Sequence, residues 1–102
     1  MEIHFLDKQL ENFVCSLDRT AHNRVLRMLD ILEKAGYQIR MPHAKKVSRN
    51  LFELRTQGTE QVRIFFTYHQ KKIILLHGFV KKTQHIPIYE LRFAEQKLRS
   101  LS

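Results

Sequence analysis

The sequence predicts a small α+β domain, in which a mostly antiparallel sheet packs against an N-terminal helical hairpin in the order β-α-α-β-β-β-α. Two observations carry this prediction. Apolar residues recur at helical spacing between residues 6 and 36, and after residue 50 the period changes to two, which is typical of strands. A chain of 102 residues, 43% of them hydrophobic, is large enough for one core, so we expect a single domain over residues 1–102.

The first third of the chain predicts one short strand and two helices. Ile3 and Phe5 alternate with polar neighbours, which indicates a strand. A first helix is predicted over residues 7–17, and Asp18 is the expected N-cap of a second helix that Gly36 ends. The second helix has an apolar stripe made of Ala21, Val25, Met28, Leu29 and Leu32. Because the connection is short, the two helices should pack as a hairpin.

The remainder of the chain predicts three strands and a last helix. Residues 37–49 are interpreted as a basic connector, and strands follow at residues 52–55, from residue 62, and at residues 73–80. Turns are expected at residues 57–59 and around residues 70–71. The last two strands are apolar on both faces, which is typical of central strands in a covered sheet. Pro87 is placed to begin the last helix, whose inner face would carry Leu91, Ala94, Leu98 and Leu101.

The charge of the chain is concentrated in its middle. The formal net charge is +8, and residues 1–40 contribute none of it. Residues 41–86 carry nine basic side chains against Glu53 and Glu60, which leaves a net charge of +7 in that block. A block this basic is typical of nucleic-acid binding, because each neutralised phosphate releases counterions. An acidic protein partner or solubility alone would also explain it.

Several classes of site and location are disfavoured by the sequence. The six histidines show no metal-ligand spacing, and no phosphate loop or nucleophile elbow is present. Cys15 is interpreted as a small buried or half-buried hydrophobic residue, and a lone cysteine fits a reducing compartment. The longest apolar run, residues 73–76, is far shorter than a membrane span, and the N-terminus lacks the pattern of a signal peptide. We therefore expect a soluble cytoplasmic protein without a metal or cofactor.

Two arginines on neighbouring strands are the first candidates for a site. If the loop between the strands has an odd number of residues, Arg55 lies directly opposite Arg63 on one face, and an even number would put them on opposite faces. Two arginines that face each other repel, so an anion between them explains the pair better than stability does. A sheet edge guarded by charge is the alternative.

Three segments of the chain resemble a known family. They are residues 51–55 (LFELR), residues 62–66 (VRIFF) and residues 75–84 (LLHGFVKKTQ), with Pro87 shortly after them. Together they resemble the HigB-like branch of the RelE/ParE toxin superfamily, and more narrowly its phage-derived Gp49-like group. The resemblance covers nearly the whole chain in element order and length, and it implies a RelE-like fold.

The resemblance implies that the protein is the toxin of a type II toxin–antitoxin system. In the RelE and HigB branches the toxin enters the ribosomal A site and cuts mRNA without a metal, which makes a ribosome-dependent mRNA endoribonuclease the expected function. The ParE branch inhibits DNA gyrase on the same fold, and a non-catalytic nucleic-acid-binding module is a further alternative. The expected partners are the ribosome, mRNA and a cognate antitoxin, a small helix-turn-helix protein of the HigA type, with no membrane.

The resemblance also assigns roles to individual residues. Arg63 matches the arginine that RelE-like toxins place on the phosphate, and Lys81 and Lys82 match the basic pair at the end of the last strand. Tyr89 lies near the position of the aromatic residue that stacks on or protonates the substrate. Packing of Tyr89 beside Phe93 is the alternative for that residue.

The general base is left open by the sequence. RelE has lysines where this chain has Leu51 and Glu53, so Glu53 is a candidate carboxylate base. His77 and His85 are further candidates because an imidazole titrates near neutral pH, although His77 is more simply interpreted as a packed strand residue. The predicted catalytic set is therefore Arg63, Lys82, Glu53 and Tyr89, and the predicted RNA-binding set is Lys45, Lys46, Arg55 and Lys81.

Overall fold

A computed structural model describes residues 1–58 and 60–101 of the chain. Its N-terminal part consists of strand β1 (Ile3–Phe5) and helices α1 (Lys8–Ser16) and α2 (Arg19–Ala35), as predicted. An aspartate caps the N-terminus of each of these two helices. The side chain of Asp7 accepts a hydrogen bond from the backbone N–H of Leu10, and that of Asp18 accepts one from Ala21. Gly36 ends α2 with a φ of 55°, a conformation that glycine adopts without strain.

A five-stranded sheet forms the centre of the molecule. The remaining strands are β2 (Ala44–Ser48), β3 (Leu51–Arg55), β4 (Gln61–His69) and β5 (Lys72–Lys81), and the spatial order is β1-β5-β4-β3-β2. Among the described strands, β1 pairs in parallel with β5, and the other three pairings are antiparallel. The predicted turn between β4 and β5 is confirmed at Gln70 and Lys71, both with positive φ. The turn predicted at residues 57–59 includes Thr59, which lies outside the described residues.

Strand β2 corrects the prediction of a connector over residues 37–49. This segment contains a short 3₁₀ helix, Gly36–Gln38, and then the edge strand, so the order is β-α-α-β-β-β-β-α. The sequence AKKVS of β2 shows no clear alternation, because Lys45 and Lys46 point to opposite faces and both reach solvent at the edge. Pairing with β3 supplies the order that the local sequence lacks.

The two faces of the sheet are covered by different helices. Helices α1 and α2 pack on one face over a core that includes Leu54, Ile64 and Phe66. The last helix, α3 (Ile88–Arg99), packs on the other face, where its buried Ala94 belongs to the same core cluster as Phe65. The other predicted inner residues of α3, which are Leu91, Leu98 and Leu101, pack against the same cluster. This confirms the prediction that β4 and β5 are covered on both sides.

Two polar contacts hold α3 in place. Nζ of Lys97 donates a hydrogen bond to Oδ2 of Asp7 at 2.8 Å, which ties the helix to the start of α1. Nε2 of His77 on β5 lies 2.7 Å from Oε1 of Glu90. The His77 ring also packs 4.7 Å from the ring of Phe93, so His77 is a packed strand residue, as the sequence interpretation favoured. None of the helices in the described ranges is both long enough and apolar enough to cross a membrane.

The contact between Asp7 and Lys97 predicts a dependence of stability on pH. The hydrogen bond from Lys97 holds the pKa of Asp7 below its ordinary value. A carboxylate with a depressed folded-state pKa stabilises the fold above its unfolded pKa, about 3.9 for aspartate, and this contribution is lost as pH falls through the lower folded value. Asp7→Asn keeps the helix cap but loses the charge, so we expect a lower free energy of unfolding at pH 7.

Urea unfolding between pH 2.5 and 7 measures this effect. The difference between the original protein and Asp7→Asn should shrink below about pH 4, where the carboxylate becomes protonated. Asp30→Asn is the matched control, because its pair with Lys34 is exposed and exposed pairs contribute little. A difference that is constant over the whole pH range would show that the charge of Asp7 does not contribute.

Candidate active site

Arg55 and Arg63 face each other on the sheet. They are directly opposed in the register of β3 and β4, and residues 56–62, an odd number, separate them. Both side chains therefore point to one face, the face on which α3 packs. Because two opposed guanidinium groups repel each other, an anion is expected close to them.

The anion next to the arginines is the carboxylate of Glu53. Its side chain is only 1% exposed, and Oε1 lies 2.9 Å from Nε of Arg55 and 4.0 Å from Nε of Arg63. The short contact with Arg55 lacks the alignment of a hydrogen bond, so charge attraction accounts for it. Oε2 of Glu53 and both Nε atoms have no hydrogen-bond partner within the described parts of the chain. One carboxylate offsets only one of the two guanidinium charges, so the arginine pair keeps a net positive charge, and these three atoms have unused hydrogen-bonding capacity.

Arg63 is held rigidly. Its guanidinium donates hydrogen bonds to the backbone oxygens of Thr56 and Val62 at 3.1 and 3.2 Å, and to Oε1 of Gln61 at 2.9 Å. The residue is 4% exposed, and burial lowers the pKa of its guanidinium, an effect that the charge of Glu53 opposes. Arginine nevertheless stays charged at neutral pH, because the ordinary pKa of a guanidinium lies far above neutral. The result is a cation whose orientation is set before any ligand arrives.

Lys81 completes the cluster at the end of β5. It is half-buried, and its pKa is lowered by burial and then by the charge of Arg63. The charges of Arg55 and Lys45 act in the same direction, which places these cations in one electrostatic field. Beside Lys81 opens a cavity of ≈ 730 Å³ that is also lined by Lys82, Gln61 and Glu60. We refer to Glu53, Arg55, Arg63 and Lys81 as the arginine–lysine cluster.

Comparison with known proteins identifies the family. The model of the family described as "Phage derived protein Gp49-like" matches residues 12–99. The chain belongs to this Gp49-like family. A chain in the crystal structure of the archaeal RelE-RelB complex from Pyrococcus horikoshii OT3 superposes with a TM-score of 0.52 at 21% identity, covering 83% of this chain and 97% of that one. This match confirms the RelE-like fold. None of the curated proteins has a sequence that matches this chain.

The other predicted site residues of this Gp49-like protein are more dispersed. Tyr89 lies in the first turn of α3 and is 68% exposed, so it does not pack into the core as the alternative required. Lys45 pairs with Glu53 in the register and therefore points to the face of the cluster. Lys46 pairs with Phe52 and points to the opposite face. The predicted RNA-binding set is thus divided between the two faces of the sheet.

Two further interpretations concern metals and Cys15. Within residues 1–58 and 60–101, no group of three or more histidine, cysteine, aspartate or glutamate side chains is arranged to hold a metal ion. Cys15 is exposed on α1, so the interpretation as a buried or half-buried residue is wrong. Its neighbour Val14 fills the buried position of that turn and directs Cys15 to solvent.

Sequence reasoning missed the residues that support the cluster in this Gp49-like protein. Thr56 and Gln61 orient Arg63, but neither of them stood out in the sequence. Glu90, which contacts His77 outside the cluster, did not stand out either. The position of Glu53 could have been found, because it lies two residues before Arg55 on the same face of a strand. A glutamate and an arginine two residues apart on a strand, such as Glu53 and Arg55, therefore predict an ion pair with each other rather than a free general base.

Proposed function

We propose that this protein is a HigB-like toxin of a type II toxin–antitoxin pair, a metal-independent endoribonuclease that cuts mRNA on the ribosome in the cytoplasm. The observation that carries the proposal is the rigid placement of Arg63 in the arginine–lysine cluster. Membership of the Gp49-like family and the RelE-like fold support it. Positioned cations on a sheet face are what a phosphoryl-transfer transition state requires when no metal takes part.

The proposed reaction is attack by the ribose 2′-oxygen on the adjacent phosphorus. A base removes the proton of the 2′-OH, the P–O5′ bond breaks, and an acid protonates the departing 5′-oxygen. Arg63 and Lys81 would neutralise the charge that develops on the phosphate. Glu53 would have to accept the proton through Oε2, which has no hydrogen-bond partner but is buried, since Oε1 faces Arg55. Lys82 or Tyr89 would supply the acid, and the ribosome would align the mRNA.

The remaining basic residues would bind the RNA backbone. Arg55, Lys45 and Lys81 lie on the face of the cluster, and each contact with a phosphate releases counterions and favours binding. Because these contacts go to phosphates, they would add affinity without selecting a sequence.

A translation assay and a supercoiling assay test the proposed function together. We expect the purified protein to stop translation in a cell-free system, and primer extension to show cuts in the mRNA only when ribosomes are present. DNA gyrase should keep its supercoiling activity in the same preparation. Inhibition of gyrase with intact mRNA would instead support a ParE-like inhibitor. Absence of both effects in a folded protein would support the non-catalytic module.

We also propose a cognate antitoxin, a small helix-turn-helix protein of the HigA type. The similar archaeal chain comes from a RelE-RelB complex. We expect an acidic segment of the antitoxin to cover Arg55, Arg63 and Lys81, because this is where the cations of the site converge. Charge complementarity of this kind speeds association more than it tightens the complex, so apolar contacts should supply much of the affinity.

Amine acylation followed by mass spectrometry tests this coverage. The lowered pKa of Lys81 leaves more of its amine unprotonated, so it should react faster at pH 8 than the exposed Lys71. In the complex Lys81 should be protected. Lys71 lies in the β4–β5 turn, at the opposite end of β5, and should react as before. A tight complex in which Lys81 stays fully reactive would mean that the antitoxin binds elsewhere and blocks ribosome entry by its bulk.

A further inference from the structure

A second groove lies on the sheet face opposite to the arginine–lysine cluster. It has a volume of ≈ 490 Å³ and is formed where the chain leaves α2 and enters the edge strand β2. Phe52 lines it, whereas the next residue, Glu53, points to the cluster, because successive residues of a strand point to opposite faces. The mechanism proposed above makes no use of this groove.

The floor of the groove is a set of aromatic rings. Tyr68 packs 4.7 Å from the ring of Tyr37 and 5.2 Å from the ring of Phe52. Its hydroxyl donates a hydrogen bond to the backbone oxygen of Gly36 at 2.8 Å, and burial raises the pKa of this hydroxyl. Tyr37 is 57% exposed. The Tyr37 ring therefore packs against Tyr68 on one side, and its remaining surface is open to a planar ligand.

Cations surround this aromatic floor. Nη1 of Arg40 donates hydrogen bonds to the backbone oxygens of Tyr37 and Ile39 at 3.0 and 2.9 Å, which fixes the guanidinium beside the rings. Nζ of Lys46 lies 6.0 Å from the centre of the Phe52 ring. The side chains that line the groove in the described part of the chain include no carboxylate. The positive charge of the groove is therefore uncompensated within it.

We propose that this groove binds single-stranded RNA, with a base stacked on Tyr37 and neighbouring phosphates on Arg40 and Lys46. Exposed aromatic rings interleaved with cations are how proteins hold single strands, since every base has a face that can stack. An acidic protein segment would satisfy the cations but would not use the open ring of Tyr37. A duplex would keep its bases stacked internally and out of reach of the ring.

The edge strand connects the groove to the cluster. Lys45 pairs with Glu53 and Lys46 with Phe52, so the two lysines leave β2 on opposite faces, and at the edge of the sheet both line the groove. A strand of RNA that crosses this edge would contact both sites. The second site goes beyond the proposed cleavage and does not depend on it, because binding in the groove requires no reaction.

Fluorescence anisotropy with an RNA that cannot be cut tests the proposal. The probe is a fluorescein-labelled, 2′-O-methylated decamer of mixed sequence, which has no 2′-OH to react. We expect Tyr37→Ala to raise the dissociation constant at least about fivefold, the lower end of what one base–aromatic stack contributes. Tyr37→Phe keeps the stacking face and should bind as the original protein does.

A charge-matched pair of variants tests the phosphate contacts. Removing two contacts with Arg40→Gln/Lys46→Gln should lower the slope of log affinity against log salt by about 1.4, since each single-strand phosphate contributes about 0.7. Lys46→Gln alone, which leaves the Arg40 hydrogen bonds intact, should lower it by about half as much. Arg19→Gln/Lys71→Gln removes the same charge at exposed positions that do not line the groove and should leave the slope nearly unchanged.

Two results would overturn the proposal. One is that folded Tyr37→Ala and the Arg40/Lys46 variant bind the decamer no differently from the Arg19/Lys71 control. The other is that these variants lose binding to a labelled oligoglutamate peptide while RNA binding is unchanged, which would assign the groove to an acidic protein. Either result leaves the proposed cleavage untouched, because that activity is measured separately by translation and primer extension.

Discussion

Arg63→Ala is expected to abolish toxicity while the protein still folds. Arg63 is the most firmly positioned cation of the cluster, with three hydrogen bonds from its guanidinium. Loss of one preorganised group of this kind typically lowers a reaction rate on the order of 10²–10³-fold. Removing Arg63 also relieves its repulsion with Arg55, which limits the cost to stability.

Growth after induced expression measures toxicity, and circular dichroism of the purified variant shows whether it folds. Arg63→Lys keeps the charge but loses the planar fork that makes the three contacts, so an intermediate loss is expected. Arg19→Ala, at an exposed position on α2, is the control and should remain fully toxic. A folded Arg63→Ala protein with full toxicity would remove Arg63 from the proposed mechanism.

Glu53→Gln is expected to have the largest effect on stability. The carboxylate of Glu53 is the charge nearest to both opposed arginines, and it is almost completely buried. Removing one member of a buried ion pair leaves the other charges uncompensated, and a loss of about 3 kcal/mol in the free energy of unfolding is typical. The amide of glutamine has nearly the same shape, so the change in charge accounts for the effect.

Urea unfolding at pH 7 measures this loss, with Glu33→Gln at an exposed position of α2 as the matched control. Equal stability of Glu53→Gln and the original protein would contradict the view that the charge of Glu53 offsets the repulsion between the two arginines. The same variant tests the base. If Glu53 takes the proton of the 2′-OH, cleavage by the folded variant should fall by about 10²–10⁴-fold. If cleavage falls only in proportion to the fraction of the variant that is folded, Glu53 is not the general base, and a histidine or a lysine would take that role.

The helices and the two long strands could be predicted well because their signals are local. Asp7 and Asp18 mark helix starts through their own side chains, and Gly36 marks an end through its own φ. The candidate site was predicted in part for a similar reason. Arg55 and Arg63 come from strands whose alternation is clear, so the sequence left open only whether the loop between them has an odd or an even number of residues, and the register shows that the two arginines face each other.

The edge strand and the role of Glu53 needed the tertiary structure. Strand β2 is ordered by its pairing with β3, and its own residues carry no alternation that would indicate it. Glu53 was a candidate base in the sequence. Its spacing places it on the same face as Arg55, but only the side-chain distances show that its carboxylate also approaches Arg63. The exposure of Cys15 and Tyr89 was likewise decided by how α1 and α3 turn toward the sheet.

The sequence by itself determined the α+β class, the positions of the helices, the central strands and the concentration of positive charge between residues 41 and 86. Each of these features depends on residues that are close together in the sequence. Their periodicity and their capping residues can be recognised without knowledge of the fold. The tertiary structure alone decided which charges meet. The carboxylate of Glu53 contacts Arg55, whereas no carboxylate in the described part of the chain lines the groove that contains Arg40 and Lys46, because pairing between strands places distant residues on a common face.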